Sequence, residues 1–525
     1  MKIFQTNKAA AIKLPSKGLL VATMLLLLSR GTGITQNNTS YNANPLLVAG
    51  SNSVGIGMEV MPGNTGTANS GIGYRALYLN TSGSYNSAAG FGALRNNTGG
   101  NSNAAIGANA LYSNTAGHGN TAIGRNALYF NAGADSNTAV GFGALYNNTS
   151  GELNVANGIM ALYSNTSGRH NIAFGLRALY SNTETHSSIA IGSFALYHNT
   201  VGNGNIAMGF EALRANTEGS YNLAIGRQAL YKNTTGEANT AIAPYTLQSN
   251  TTGSYNTANG FRALSHNTTG AHNVAIGFET LQSNGPGNYN VGIGSHVLEY
   301  SPMGNGNTAI GYEASNRNSE GSFNAAYGYH ALYHNWDGNS NVAVGDSAGF
   351  NSKGNRNVYL GHKAGANETG SNKFYLANDT ANTLIYGDFS SRQILLGKAN
   401  PYGYTFKGTR TLNVLGGILT DSMRVALSGN WADYVFDDDY ALASLDEVSD
   451  FIKANKHLPG IPTTAEVKRD GIDLAEMNTK LLSKVEELTL YMLQQKKETD
   501  VLTQITLQQK KEIDELKIIF SKISK

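Results

Sequence analysis

The chain has 525 residues, with 62 glycines, 9 prolines, no cysteine, 41% hydrophobic residues and only 14% charged ones. That balance argues against a charge-driven disordered chain. The formal net charge of +2 falls to −3 once Lys2, Lys8, Lys13, Lys17 and Arg30 are set aside, because no acid precedes them; the remainder lacks the basic surplus that nucleic-acid binding requires.

Residues 1–35 are basic, then apolar from Leu19 to Leu28, then small and polar. This is the pattern of a secretory signal peptide, and the apolar run is short for a membrane span. The expected product is secreted or extracellular, at a bacterial cell surface, with no transmembrane span in the mature chain. With no cysteine, neither a disulfide nor a lipid-bearing cysteine holds it.

Residues 36–361 form the predicted head, and within it a repeat dominates. Gly73 to Gly345 is 272 residues, or 16 × 17. The glycine fails once along that ladder, at Ala243. Ala or Gly stands two residues before it, as at Ala105, Ala122 and Ala139. Leu follows four residues after it, except at Ser315 and Gly349, and Asn seven after it, except at Ser301 and Ser352. Gly57 and Gly361 extend the series at sixteen-residue spacing. A glycine in every unit excludes helical repeats, at roughly 1 kcal/mol each, and collagen needs glycine every third residue. The fold class predicted is therefore mainly β, a 17-residue-repeat β-solenoid, or β-roll.

In each unit "NxAIG" reads as a short strand and "NTxGxxN" as a corner. The middle, "xALYxN", fits either a second strand or one helical turn. Stacked turns place Leu on Leu, Ala on Ala and Asn on Asn, giving a thin core and amide ladders. Nineteen ladder positions make a rod roughly 85–90 Å tall at about 4.8 Å per turn. So narrow a solenoid holds three or four apolar side chains per turn, so the Ala column and the mostly Ile column beside it are expected to need a partner surface. A homotrimer would supply one.

Residues 362–430 read as a β-rich connector, with "KFYLAN", "TLIYGDF", "QILLGK", "TLNVLGGIL" and "SMRVAL" as short strands. Residues 431–472 form an α-containing module. Ser444 and Glu447 make a capping box there, and "HLPGIP" ends the helix. Asp473 and Glu476 resemble a second box opening a coiled coil over 473–525. Its a positions are Asn478, Val485, Met492, Thr499, Thr506, Ile513 and Phe520; its d positions are Leu474, Leu481, Leu488, Gln495, Leu502, Gln509, Leu516 and Ile523.

The motifs "NAAIG" (103–107), "NTAIG" (120–124 and 307–311) and "NVAIG" (273–277) resemble the head repeats of trimeric autotransporter adhesins. That resemblance implies a left-handed parallel β-roll that trimerises and binds host surface molecules. The resemblance does not extend to the autotransporter's membrane-anchor barrel. Residues 431–491 resemble the C-terminal module of tail-fibre-like proteins, similar in placement to the intramolecular chaperones of the peptidase S74 group. Such chaperones trimerise a β-fibre, and some then cleave themselves at a Ser-Asp motif. Thr420-Asp421-Ser422 is not followed by the expected run, so self-cleavage is not expected.

Chemical motifs are few. The Gly-x-Gly pairs Gly55–Gly57 and Gly71–Gly73 belong to the ladder and lack a dinucleotide-binding context, so no cofactor is expected. His330 and His334 lack a third ligand and Asp437–Asp439 lacks a calcium loop; no metal site is expected. The column Tyr112, Tyr129, Tyr146, Tyr163, Tyr180 and Tyr197 is the candidate binding surface for an extracellular protein or glycan, although packing against a wall or a neighbouring chain competes with that role. The resulting expectation is a secreted or cell-surface fibrous protein, an adhesin-like homotrimer and not an enzyme. Alternatives are a tail-fibre-like binding protein, a polysaccharide-degrading solenoid needing paired carboxylates, and an ice-binding solenoid suggested by Thr81, Thr98, Thr115 and Thr149.

Overall fold

The computed structural model describes residues 39–41, 52–399, 406, 409–425 and 431–524. The signal segment, residues 1–35, lies outside them. The chain divides into two units, Met1–Gly416 and Gly417–Lys525.

The first unit is a parallel β-solenoid. Twenty-one strands, β1 (Thr39–Tyr41) to β21 (Lys373–Ala377), pair in sequence order, each in parallel with the next. Most are three residues long and seventeen apart, so Thr121 pairs with Thr138 and Ala122 with Ala139. The strands reproduce "NxAIG" because the central residue points in and its neighbours out: Ala122 is fully buried, whereas Ile123 faces solvent.

The middle segment is neither a strand nor a helical turn. It is two successive tight turns, closed by the Ala127 amide on the Gly124 carbonyl (3.3 Å) and the Asn131 amide on the Leu128 carbonyl (3.2 Å). Asn126 and Leu128 have φ of 59° and 51°. Between these turns the backbone still bonds along the axis: Asn126 donates to Ala108 below, and Leu128 and Phe130 donate to Ala144 and Tyr146 above, at 3.0 Å each. A left-handed leucine costs roughly 1–2 kcal/mol. Complete burial returns about 1.5–3 kcal/mol, so the stack dictates the dihedral.

Leu128, Ala127 and Ala122 are fully buried, and their copies line the core along the array. Two asparagine ladders flank them. Asn148 Nδ2 donates to Asn131 Oδ1 (2.9 Å), and Asn137 Oδ1 accepts from the Asn154 amide (3.0 Å). Both ladders grip the same corner, since Asn148 and Asn137 each donate to the Gly151 carbonyl at 2.8 Å. The ladder glycine closes the unit. Gly124 has φ +132°, and a Cβ there would lie 2.5 Å from the Gly141 carbonyl oxygen above.

One expectation is corrected here. The Ala column needs no partner surface: Ala105, Ala122 and Ala139 are fully buried within the chain. Only the Ile column faces outward, because side chains alternate along a strand.

Near the end of the array the core is exchanged residue for residue. Gly349 stands where Leu belongs and Ser352 where Asn belongs, while Tyr359 replaces the small residue of the next turn. The Tyr359 ring fills the space beside Gly349, and its hydroxyl lies 2.7 Å from Ser352 Oγ. The same Tyr359 ring also lies against Gly365, and in the following turn the Tyr375 hydroxyl donates to Glu368. Then β21, β22 (Thr383–Asp388) and β23 (Gln393–Ala399) continue as an antiparallel meander, with β24 (Leu412–Val414) parallel to β23. The predicted strand "SMRVAL" is irregular over 422–425.

The second unit has a short 3-10 turn (Ala432–Phe436) and helices α1 (Leu445–Asn455), α2 (Thr464–Asp470) and α3 (Leu474–Ile523). Ser444 and Glu447 form the expected reciprocal box. Thr463 and Glu466 form a second, opening a helix that the sequence reading missed. Asp473 caps α3 by accepting from the Ala475 and Glu476 amides, but Glu476 pairs with Lys480 instead of reaching back. Tyr440 donates to Glu487 Oε1 (2.6 Å) and Tyr491 to the Ala443 carbonyl, tying the segment before α1 to α3. Burial, with the Glu487 hydrogen bond, pushes the Tyr440 hydroxyl well above the usual phenol range.

Candidate binding surfaces

The outer face of the solenoid strands is apolar. Each strand turns two side chains outward. The second is aliphatic in most turns: Ile56, Ile72, Ile106, Ile123, Ile191 and Ile276 are 39–51% exposed. Beyond the ladder glycine the next column adds Phe91, Phe142, Phe210 and Phe278, also exposed. Stacking repeats this stripe turn after turn, so it far exceeds the scattered apolar residues of an ordinary surface.

The tyrosine column forms a continuous stack. Centroids from Tyr112 to Tyr197 are 5.0–5.3 Å apart and the rings are nearly parallel. Arginines cap both ends, with the Arg95 guanidinium 5.3 Å from the Tyr112 ring and Arg214 5.8 Å from Tyr197. Burial, then neighbouring tyrosines, raise the Tyr129 and Tyr163 hydroxyl pKa values. Ring faces within the stack are covered by other rings, leaving edges and hydroxyls outward. A ligand on this column meets hydroxyls and ring edges, not flat platforms.

Sequence reasoning missed a more open aromatic surface at the other corner. Tyr255, His272 and Tyr289 stack at 5.0 and 5.1 Å, and both tyrosines are exposed. Nearby along the array, Ser283, Tyr300, Pro302, Arg317, Ser319 and Trp336 line a groove of about 460 Å³. Tyr300 and Trp336 each expose about half their surface there. The available signal was a departure from the corner consensus, "SPMG" and "WDG" in place of "TxG".

The threonine hydroxyls are engaged with the backbone. Thr81 and Thr98 donate to the next turn's carbonyl at 2.9 Å, and Thr149 does so at 3.1 Å. Such a column offers no array of free hydroxyls to water.

The two histidines do not converge. His330 Nε2 lies 2.8 Å from Glu313, whereas His334 packs edge-on against Tyr333 and Phe350. Burial and Arg317 lower the His334 pKa. A group that spacing did not show is the set Glu279, His296 and Glu299, whose ligand atoms all lie within 4.8 Å of one another. Gly55–Gly57 and Gly71–Gly73 lie in the parallel ladder and open no helix. Among the described residues, no helix is long and apolar enough to cross a membrane.

Fold and surface define a repeat-built β-solenoid rod followed by a helical unit. Comparison with family models, curated proteins and solved structures returned no match to this chain.

Proposed function

We propose that this chain is an exported, cell-surface fibrous protein that assembles as a homotrimer and acts as an adhesive rod, not as an enzyme. One observation carries the reading: the core of each turn is complete within the chain, yet the outer strand face remains aliphatic along the array. An interior already filled by Ala, Leu and Asn gives that face no intrachain role, and copies of the same face are the natural cover for it. The heptads of α3 support the same association. Leu481, Val485, Leu488, Leu502, Ile513 and Leu516 are all exposed in the single chain, and such a seam is covered by partner helices. Resemblance to trimeric adhesin heads favours three copies, and residues 431–525 take the register-setting role of a fibre chaperone. Register needs setting because every turn of the rod resembles the next. The ligand would be a protein or glycan, met at exposed aromatics such as Tyr289 and Trp336.

Sedimentation equilibrium of residues 36–525 tests the reading. A mass three times that of the chain is expected at micromolar concentration, falling when Ile106, Ile123 and Ile191 are replaced by Glu. A monomer overturns the assembly.

A further inference from the structure

We propose that Glu279, His296 and Glu299 form a site for one divalent transition-metal ion of the zinc class on the side of the solenoid. Glu279 and His296 occupy the same position of consecutive turns, two residues past Gly277 and Gly294. Glu299 occupies the column where Tyr112 and its copies stand. The His296 Nδ1 atom lies 2.9 Å from Glu299 Oε2 and 3.7 Å from Glu279 Oε2. Donors of a tetrahedral ion with bonds of about 2.0–2.2 Å stand roughly 3.3–3.5 Å apart. The two imidazole–carboxylate spacings bracket that value and all three ligand atoms lie within 4.8 Å of one another, so side-chain adjustment without backbone movement would close the three groups on an ion.

The scaffold and the surrounding groups favour this. The Glu279 and His296 amides each donate to the turn below at 2.9 Å, fixing both positions. Arg262 donates to Glu279 Oε1 (3.2 Å), leaving Oε2 to face the imidazole. Asn316 Nδ2 donates to Glu299 Oε2 (3.1 Å) and to the His296 carbonyl (2.8 Å). Such outer contacts orient metal ligands. The Glu279 and Glu299 side chains are only 14% and 9% exposed, so two carboxylates share a largely desolvated spot. A dication with the neutral imidazole offsets that charge without a proton. Elsewhere the same column holds simple pairs, Arg75 with Glu59 and His330 with Glu313. One nitrogen and two oxygens suit zinc, cobalt or their neighbours better than calcium or magnesium, which take six or more oxygens. His296 keeps a quarter of its side chain exposed, which leaves a coordination position for water.

Cobalt(II) is the probe, added to residues 36–525 and followed by its visible ligand-field absorption, then displaced with zinc(II). Three variants place residues that the same columns carry in other turns: His296→Asn (as Asn126), Glu279→Gln (as Gln228) and Glu299→Tyr (as Tyr112). The wild type is expected to bind one cobalt per chain with a four- or five-coordinate spectrum. Each variant should bind at least about tenfold more weakly, with an unchanged metal-free melting profile, and zinc should raise the melting temperature of the wild type alone. Equal cobalt affinity in the wild type and His296→Asn, or a spectrum of fully hydrated cobalt in the wild type, overturns the site.

Discussion

Leu128 in the solenoid and Leu502 in α3 are the same side chain in opposite circumstances. The first is fully buried by copies of itself seventeen residues away; the second is 62% exposed. A solenoid turn finds its neighbours in its own chain, so one polypeptide completes the core and both asparagine ladders. A helix buries only one stripe of residues, and among the described residues nothing in its own unit covers the C-terminal half of α3. The two regions therefore differ in what stabilises them: nearest-neighbour stacking in the first and, in the proposed trimer, association in the second.

The most disruptive way to break this comparison is a matched pair of substitutions. Leu145→Asp places a charge in a dry column and is expected to cost on the order of 4 kcal/mol or more. Limited proteolysis and amide exchange should show opening around residues 139–162. Leu502→Asp should leave solenoid exchange unchanged and alter only the sedimenting mass. Equal loss of solenoid protection in both variants would mean that the rod depends on its terminal helix.

Asn148→Ala comes next. It removes a donor to Asn131 and to the Gly151 carbonyl, and the acceptor of Asn165 Nδ2 (2.7 Å). With buried partners left unsatisfied, a loss of roughly 2–3 kcal/mol is expected in thermal unfolding. A melting profile like the wild type's would show that the ladder contributes little.

A smaller, opposite effect is expected where the ladders already fail. Thr185 stands at the corner-glycine position, and Asn182 Oδ1 has no hydrogen-bond partner while Asn199 turns to Thr185 Oγ1. Ser188 replaces the second asparagine of that turn, and its hydroxyl is unpartnered. The double change Thr185→Gly and Ser188→Asn should stabilise by about 1 kcal/mol. Ala243→Gly should do likewise, because Ala243 holds a φ of 112° that glycine adopts at less cost. A lowered melting temperature in either would contradict the ladder account.

The smallest effect concerns the meander. Lys373 Nζ lies 2.6 Å from Asp388. Burial pushes the Asp388 carboxyl up, but Lys373 and the Ser390 and Ser391 amides outweigh it and hold it below the usual range. Its contribution is therefore present above about pH 4 and is lost as pH falls through the lowered value. Burial pulls the Lys373 ammonium down, yet its bond to Asp388 leaves it raised, so that contribution persists below about pH 10 and fades as pH rises through the raised value. Asp388→Asn should flatten the acid edge of the melting curve by under about 1 kcal/mol; an unchanged edge removes the pair from the account.

Much of the fold was legible because stacking makes sequence period and spatial period the same. The fixed spacing of Gly73 to Gly345 by itself places Leu over Leu and Asn over Asn. The capping box at Ser444 was equally readable, since its partners sit three residues apart. Less was legible at the surfaces. Tyr112 to Tyr197 were evident as a column, but not the covering of their faces by one another. Glu279, His296 and Glu299 were invisible because Glu299 belongs to another column than the other two, and only the folded turn brings its carboxylate to the His296 imidazole that stacks over Glu279.

By itself the sequence determined the repeat length, the identity of each stacked column and the helical character of the end, because these follow from periodicity. Only the tertiary structure decided which column faces inward. Ala122 and Ile123 are both apolar, and a three-residue strand is too short for alternation to tell its two faces apart. It likewise decided that Leu128 takes a left-handed backbone, against its local preference, because burial in the stack outweighs that cost.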